Sequence, residues 1–260
     1  MRHMGTGLII HIPHASTAIP DEVRRSILLS DAELDKELLL MTDRYTDDLP
    51  LKPGPARVVR APVSRLVVDV ERFRSDCEEE MARKGMGAVY TRTHDGKELR
   101  RLTKQARESL LRRYYDPHHH ALAEAVRAGL WGRGRCLIID VHSFSDTPLP
   151  HEKDKSTPRP DICLGTCGAH TPESLYLSAR EFFEERGFRV KRDSPFSGSM
   201  VPLEFLGKDP NVQSIMIEMN RKWIADPETG AKSSDAERML GTVAEWIDQI
   251  VTRAGPAVVG

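Results

Sequence analysis

Apolar residues fall in short runs, separated by longer stretches with helical period. Residues 8–12 form a strand-length run that Pro13 closes. Ser30-Asp31-Ala32-Glu33 has the form of a capping box, in which the hydroxyl and the carboxylate satisfy each other's free backbone donors. It predicts a helix with apolar positions at Leu34, Leu38, Met41, Tyr45 and Leu49. Residues 57–59 and 66–70 read as strands, and 85–93 as a loop leading into another. The stretch 103–130 is helical, with a break expected near Pro117, because proline lacks a donor and clashes with the preceding turn. Residues 137–141 are apolar except for Asp140, the pattern of a buried central strand. Further strands are predicted at 161–164, 188–190 and 214–219. Thr171-Pro172 opens a helix that Gly187 closes. A second capping box, Ser234 to Glu237, opens a C-terminal helix through Ile250.

Strands alternating with helices predict an α/β fold with three α/β/α layers and a mainly parallel central sheet. Ligands bind such sheets beyond the carboxyl ends of the strands. The informative residues are therefore those that follow each apolar run.

After the first run comes His11-Ile12-Pro13-His14, where Pro13 leaves His14 the better placed histidine at the sheet edge. An HxxH pair alone fits a metal site or two core histidines. After the central run comes Asp140-Val141-His142-Ser143. Asp140 and His142 share a strand face, and a metal-bound histidine commonly has a carboxylate on its other nitrogen. Ser143 lacks the elbow motif of a serine nucleophile, so a metal ligand at His142 is the stronger reading. Asp43 and Asp47 stand one helical turn apart. By period, Asp43 lies opposite the apolar stripe, as on a solvated face, yet residues 38–41 are apolar all round. Arg65 and Arg72 flank an apolar run and suit carboxylate binding or plain salt bridges. Glu218 sits inside the run 215–219, where an acid needs a task or a partner.

The charge balance narrows the function classes. Lys and Arg number 38 against 39 Asp and Glu, a net charge of −1, which gives no bulk attraction to nucleic acid or anionic lipid. Four cysteines without a CxxC pair argue against a disulfide scaffold and for a reducing cytoplasm. No run approaches a membrane span, and no signal-like apolar region follows the N-terminus.

Taken together, nine stretches resemble the N-formylglutamate amidohydrolase family in order along the chain. They are HIPHAS (11–16), TDRYTDDL (42–49), SRLVVDVERF (64–73), GMGAVYTRT (85–93), YYDPHHHAL (114–122), DVHSF (140–144), DICLGT (161–166), PFSGSMVP (195–202) and IMIEMNR (215–221). The resemblance implies a single catalytic domain over residues 1–260 with a zinc-carboxypeptidase-like fold. It implies one zinc ion per chain and hydrolysis of an N-acyl amino acid, typified by N-formyl-L-glutamate. By motif position His14 and His142 match the zinc histidines, with Asp43 as third ligand and Asp47 as runner-up. Glu218 matches the catalytic acid of related zinc amidases. Arg65, Arg72, His119, Ser197 and Gly198 match substrate-binding positions. Many members carry Asn where this chain has Glu71, and a carboxylate there would repel a dianionic substrate. The competing readings are a zinc amidase for a peptide or cell-wall amide, and a non-enzymatic binding protein on the same scaffold.

Overall fold

A six-stranded sheet organises the computed structural model, which describes residues 7–54 and 56–253. The strands are β1 (Leu8–Ile12), β2 (Ala56–Arg60), β3 (Cys136–Phe144), β4 (Ile162–Gly165), β5 (Val190–Arg192) and β6 (Val212–Asn220), in the order β2-β1-β3-β6-β4-β5. Every neighbouring pair is parallel except β4 with β6. The main helices are α1 (Asp21–Arg24), α2 (Asp31–Met41), α3 (Lys104–Leu110), α4 (Asp116–Arg133), α5 (Glu173–Glu185) and α6 (Ala236–Arg253).

Period-two alternation splits the strand side chains between the two faces. Ile9, Ile138 and Val212 pack against Leu122 and Val126 of α4. Ile10, Ile139, Val141 and Ile217 pack on the other side against Phe183 of α5 and Val243 and Trp246 of α6. The sheet is therefore flanked by helices, as the alternation of elements predicts.

Several local expectations are corrected. The helix opened by Ser30 forms with its capping box but ends at Met41, short of Tyr45 and Leu49. Tyr45 turns the chain at a left-handed φ of 64°, and Thr46–Asp48 form a single 3₁₀ turn. Asp43 and Asp47 therefore do not share a helix face. Residues 66–70 are buried but form turns rather than a strand: Val67 N–H donates to Ser64 O and Arg72 N–H to Asp69 O. A run of side chains that is buried on every side leaves no sheet edge to pair with, and Asp69 N–H bonds the loop carbonyl of Ala88 instead. Arg92 and Glu98 make an isolated bridge where a strand was expected after 85–93. Helix continues past Pro117 without a break, because Leu111–Tyr115 form a π turn just ahead of it. Such a turn shifts the hydrogen-bond register where proline cannot donate. The strand expected at 188–190 instead runs over Val190–Arg192.

The topology brings three strand ends together. His11 is in register with Asp140 across β1 and β3, and His142 with Glu218 across β3 and β6.

Candidate metal centre

Beyond β1 the chain carries His14 into the loop after Pro13, where it is 2% exposed. Asp43 follows the end of α2, its N–H bonded to His14 O at 3.0 Å. His142 stands near the end of β3. The Oδ2 of Asp43 lies 3.1 Å from His142 Nδ1 and 3.6 Å from His14 Nδ1. Ligands at ~2.0–2.2 Å around a tetrahedral ion stand about 3.3–3.6 Å apart. These three residues could hold a metal ion.

The partners of each ring fix which nitrogen faces inward. His14 Nε2 is 2.8 Å from Asp69 Oδ1, so it carries the proton there and turns the bare Nδ1 inward. That Nδ1 is buried without a hydrogen-bond partner. Asp69 in turn accepts from Arg65 Nη2 at 2.8 Å, from Tyr90 Oη at 2.6 Å and from Glu71 N–H at 3.0 Å. Burial works against its charge, but Arg65, His14 and Arg72 hold its carboxyl well below the usual range. His142 Nε2 lies 3.0 Å from Glu71 and 3.1 Å from Asp140, which leaves its Nδ1 toward Asp43. Arg221 donates from Nη2 to the other oxygen of Asp43 at 3.2 Å and from Nη1 to Leu40 O at 2.8 Å.

The electrostatics call for a positive charge at this point. Burial works against a charged His142, but Glu71, Asp140 and Asp43 around it push its pKa well above the ordinary value. His14 is also raised, by Asp69 and Asp43 against burial and Arg65. A cation among the three ligands answers the same demand.

Glu218, on β6, is 7% exposed, and its Oε2 has no hydrogen-bond partner. Burial pushes its carboxyl up to about 8; the nearby His142 opposes the shift, while Asp43 and Glu71 add to it. An acid with this balance can exchange a proton near neutral pH.

A second group, His11, Glu71 and Asp140, could also hold a metal ion. His11 Nδ1 lies 2.8 Å from Asp140 Oδ1 and 3.5 Å from Glu71 Oε1, and its Nε2 lies 2.8 Å from His118 Nε2.

A cavity of about 360 Å³ opens beside these groups, and Arg72, His119, Ser197 and Gly198 line it with Glu71 and Asp140. His119 Nε2 bonds the carbonyl of Val70 at 2.8 Å and its ring stacks on Tyr115, whose hydroxyl donates to Arg72 O at 2.7 Å. Arg65 does not line the cavity, and its guanidinium is tied to Asp69 through Nε and Nη2. Asp47 is exposed and belongs to neither group, and Ser143 Oγ accepts from Arg221 Nε. Asp69 and Arg221 were legible only as possible salt-bridge partners, because their roles depend on contacts distant in sequence.

Among the described residues no helix is long and apolar enough to cross a membrane. The fold matches two solved structures. One is an N-formylglutamate amidohydrolase from Ralstonia eutropha, with a TM-score of 0.85 and 19% identity over 97% of this chain and 95% of that one. The other is a gene product from Agrobacterium tumefaciens, with a TM-score of 0.66 and 17% identity over 95% and 90%. No curated protein matches the chain. The model of the N-formylglutamate amidohydrolase family matches residues 6–225, a span that includes both histidine–carboxylate groups, Glu218 and the whole cavity lining, and the chain belongs to that family.

Proposed function

We propose that the chain hydrolyses the amide bond of an N-acyl amino acid at one divalent cation, zinc, held by His14, Asp43 and His142. The reference reaction is N-formyl-L-glutamate going to L-glutamate and formate. One observation carries this reading: two buried Nδ1 atoms, that of His14 without a hydrogen-bond partner, face the same carboxylate oxygen of Asp43. Two imidazoles and a carboxylate are a catalytic zinc set with an open position. The bound ion supplies Lewis-acid polarisation of the amide carbonyl and acidification of water.

The chain's own residues supply the rest. Glu218 takes a proton from the attacking water and returns it to the amine as the C–N bond breaks. Asp69 holds His14, and Asp140 with Glu71 holds His142, each fixing ring angle and tautomer. Arg72 at the cavity wall receives the substrate carboxylate and aligns the scissile carbonyl.

The test is elemental analysis of the purified protein, combined with formate release from N-formyl amino acids with and without chelator. The expected result is about one zinc per chain, loss of activity on chelation and recovery on adding zinc back. Full activity in a metal-free protein would overturn the reading.

A further inference from the structure

The cavity is mostly apolar, with an uneven charged lining. Its titratable walls are Arg72, Glu71, Asp140 and His119, with Tyr115 and Cys167. Arg72 is the one cation among the described lining residues. Its Nε is buried without a hydrogen-bond partner, 3.7 Å from Asp69 Oδ2. The other arginines of the region are already tied, Arg65 to Asp69 and Arg221 to Asp43 and Leu40 O. Glu71 also lines the cavity, its side chain 16% exposed and its carboxylate beside His11 Nδ1 and His142 Nε2.

Much of the remaining wall is Phe73, Met200, Val201, Leu203, Leu206 and Met216. Three of these are left in water at the rim: Leu203 is 54% exposed, Phe73 44% and Leu206 36%. Large apolar side chains exposed around a concave site mark a ligand surface.

Resting on the amidohydrolase reading above, we propose that the preferred substrate is an N-acyl amino acid with one carboxylate and a bulky apolar side chain. The α-carboxylate pairs with Arg72. The side chain hangs from the same carbon, so a cavity that takes one takes the other. The acyl group lies across the scissile carbonyl, on the side of the metal ligands. A glutamate side chain would bring a second carboxylate to a wall that already carries Glu71, find no second cation among the described lining residues and leave the apolar walls wet. Each methylene gained or lost in an apolar pocket changes specificity by about 10–200-fold.

The experiment compares kcat/KM for N-formyl-L-methionine, N-formyl-L-leucine, N-formyl-L-glutamate and N-hexanoylglycine on the metal-loaded protein. The methionine and leucine compounds should exceed the glutamate compound by at least ~10-fold and also exceed N-hexanoylglycine. Leu206→Lys, at a partly exposed position the fold tolerates, should cut the methionine-to-glutamate ratio by at least ~10-fold. A glutamate compound equal to or better than methionine overturns the proposal. So does a preference for N-hexanoylglycine, which would place the apolar group on the acyl side. If none of the four is turned over, the hydrolase reading fails. Calorimetric titration with the same compounds then decides the specificity alone. Binding of N-formyl-L-methionine at least ~10-fold tighter than N-formyl-L-glutamate upholds it, and equal or weaker binding overturns it.

Discussion

The ring of His142 stands between two clusters of the same chemistry. Its Nδ1 faces His14 and Asp43, and its Nε2 faces Asp140 and Glu71, which reach His11. Residue types alone do not separate the two. Hydrogen does. In the second cluster His11 Nδ1 and Asp140 are 2.8 Å apart, a hydrogen-bond length with a proton between them. In the first, His142 Nδ1 lies 3.1 Å from Asp43 Oδ2, while His14 Nδ1 stands 3.6 Å from the same oxygen and has no hydrogen-bond partner. A buried ring nitrogen left without a partner beside a carboxylate suits a cation. The proposed ion is therefore assigned to the first cluster, and the second would hold its shared ligand in place.

The largest expected effect tests whether the reaction runs at the first cluster, next to Glu218. Glu218→Gln keeps nearly the same shape and loses the proton-transfer function. It should keep fold and zinc and lose at least ~100-fold in turnover by steady-state assay. A folded, zinc-loaded variant with near-normal turnover would place the base elsewhere, with His119 next to test.

A smaller effect separates the clusters directly. Asp140→Asn should weaken zinc affinity by ~10–100-fold in chelator competition, with stoichiometry at saturation still about one. Asp43→Asn should weaken it further, because it removes a ligand. Equal losses in the two variants, or two ions per chain, would erase the distinction.

The smallest effect lies outside both clusters and serves as their control. Asp161 accepts from Arg189 and from Trp223 Nε1. Burial raises its pKa, but these partners and Lys222 win and hold it below the ordinary value. A depressed carboxylate contributes stability above its unfolded pKa of about 3.9 and loses it as pH falls through the folded value. Denaturant titration from about pH 6 down to pH 2 should show about 1–2 kcal/mol lost on that limb. Asp161→Asn should flatten it while leaving zinc binding unchanged. An unaltered acid limb would show that other carboxylates set it.

Much of the sheet was legible in the chain. Strands β1, β3, β4 and β6 lie where the apolar runs predict, because a buried parallel strand has few ways to be written. The family motifs also named His14, His142, Asp43 and Glu218 at once. Periodicity misjudged Asp43, because it assumed a helix through Leu49, whereas the helix ends at Met41 and the following turn carries the carboxylate inward. Arg65 and Arg72 looked alike in sequence. Only packing tied one to Asp69 and left the other at the cavity.

By itself the sequence determined the α/β class, the capping box at Ser30, the residue types that could hold a metal and the family, since these are carried by local pattern and by motif, whereas the box expected at Ser234 gave way to a helix that begins at Ala236. Tertiary structure decided which histidine nitrogen faces inward, that Asp69 orients His14, and that Glu71 and Arg72 share a cavity with the rim of Phe73, Leu203 and Leu206. The physical reason is reach. Backbone preference is set within a few residues, whereas a hydrogen-bond partner or a cavity wall is set by which distant segments the sheet order places side by side.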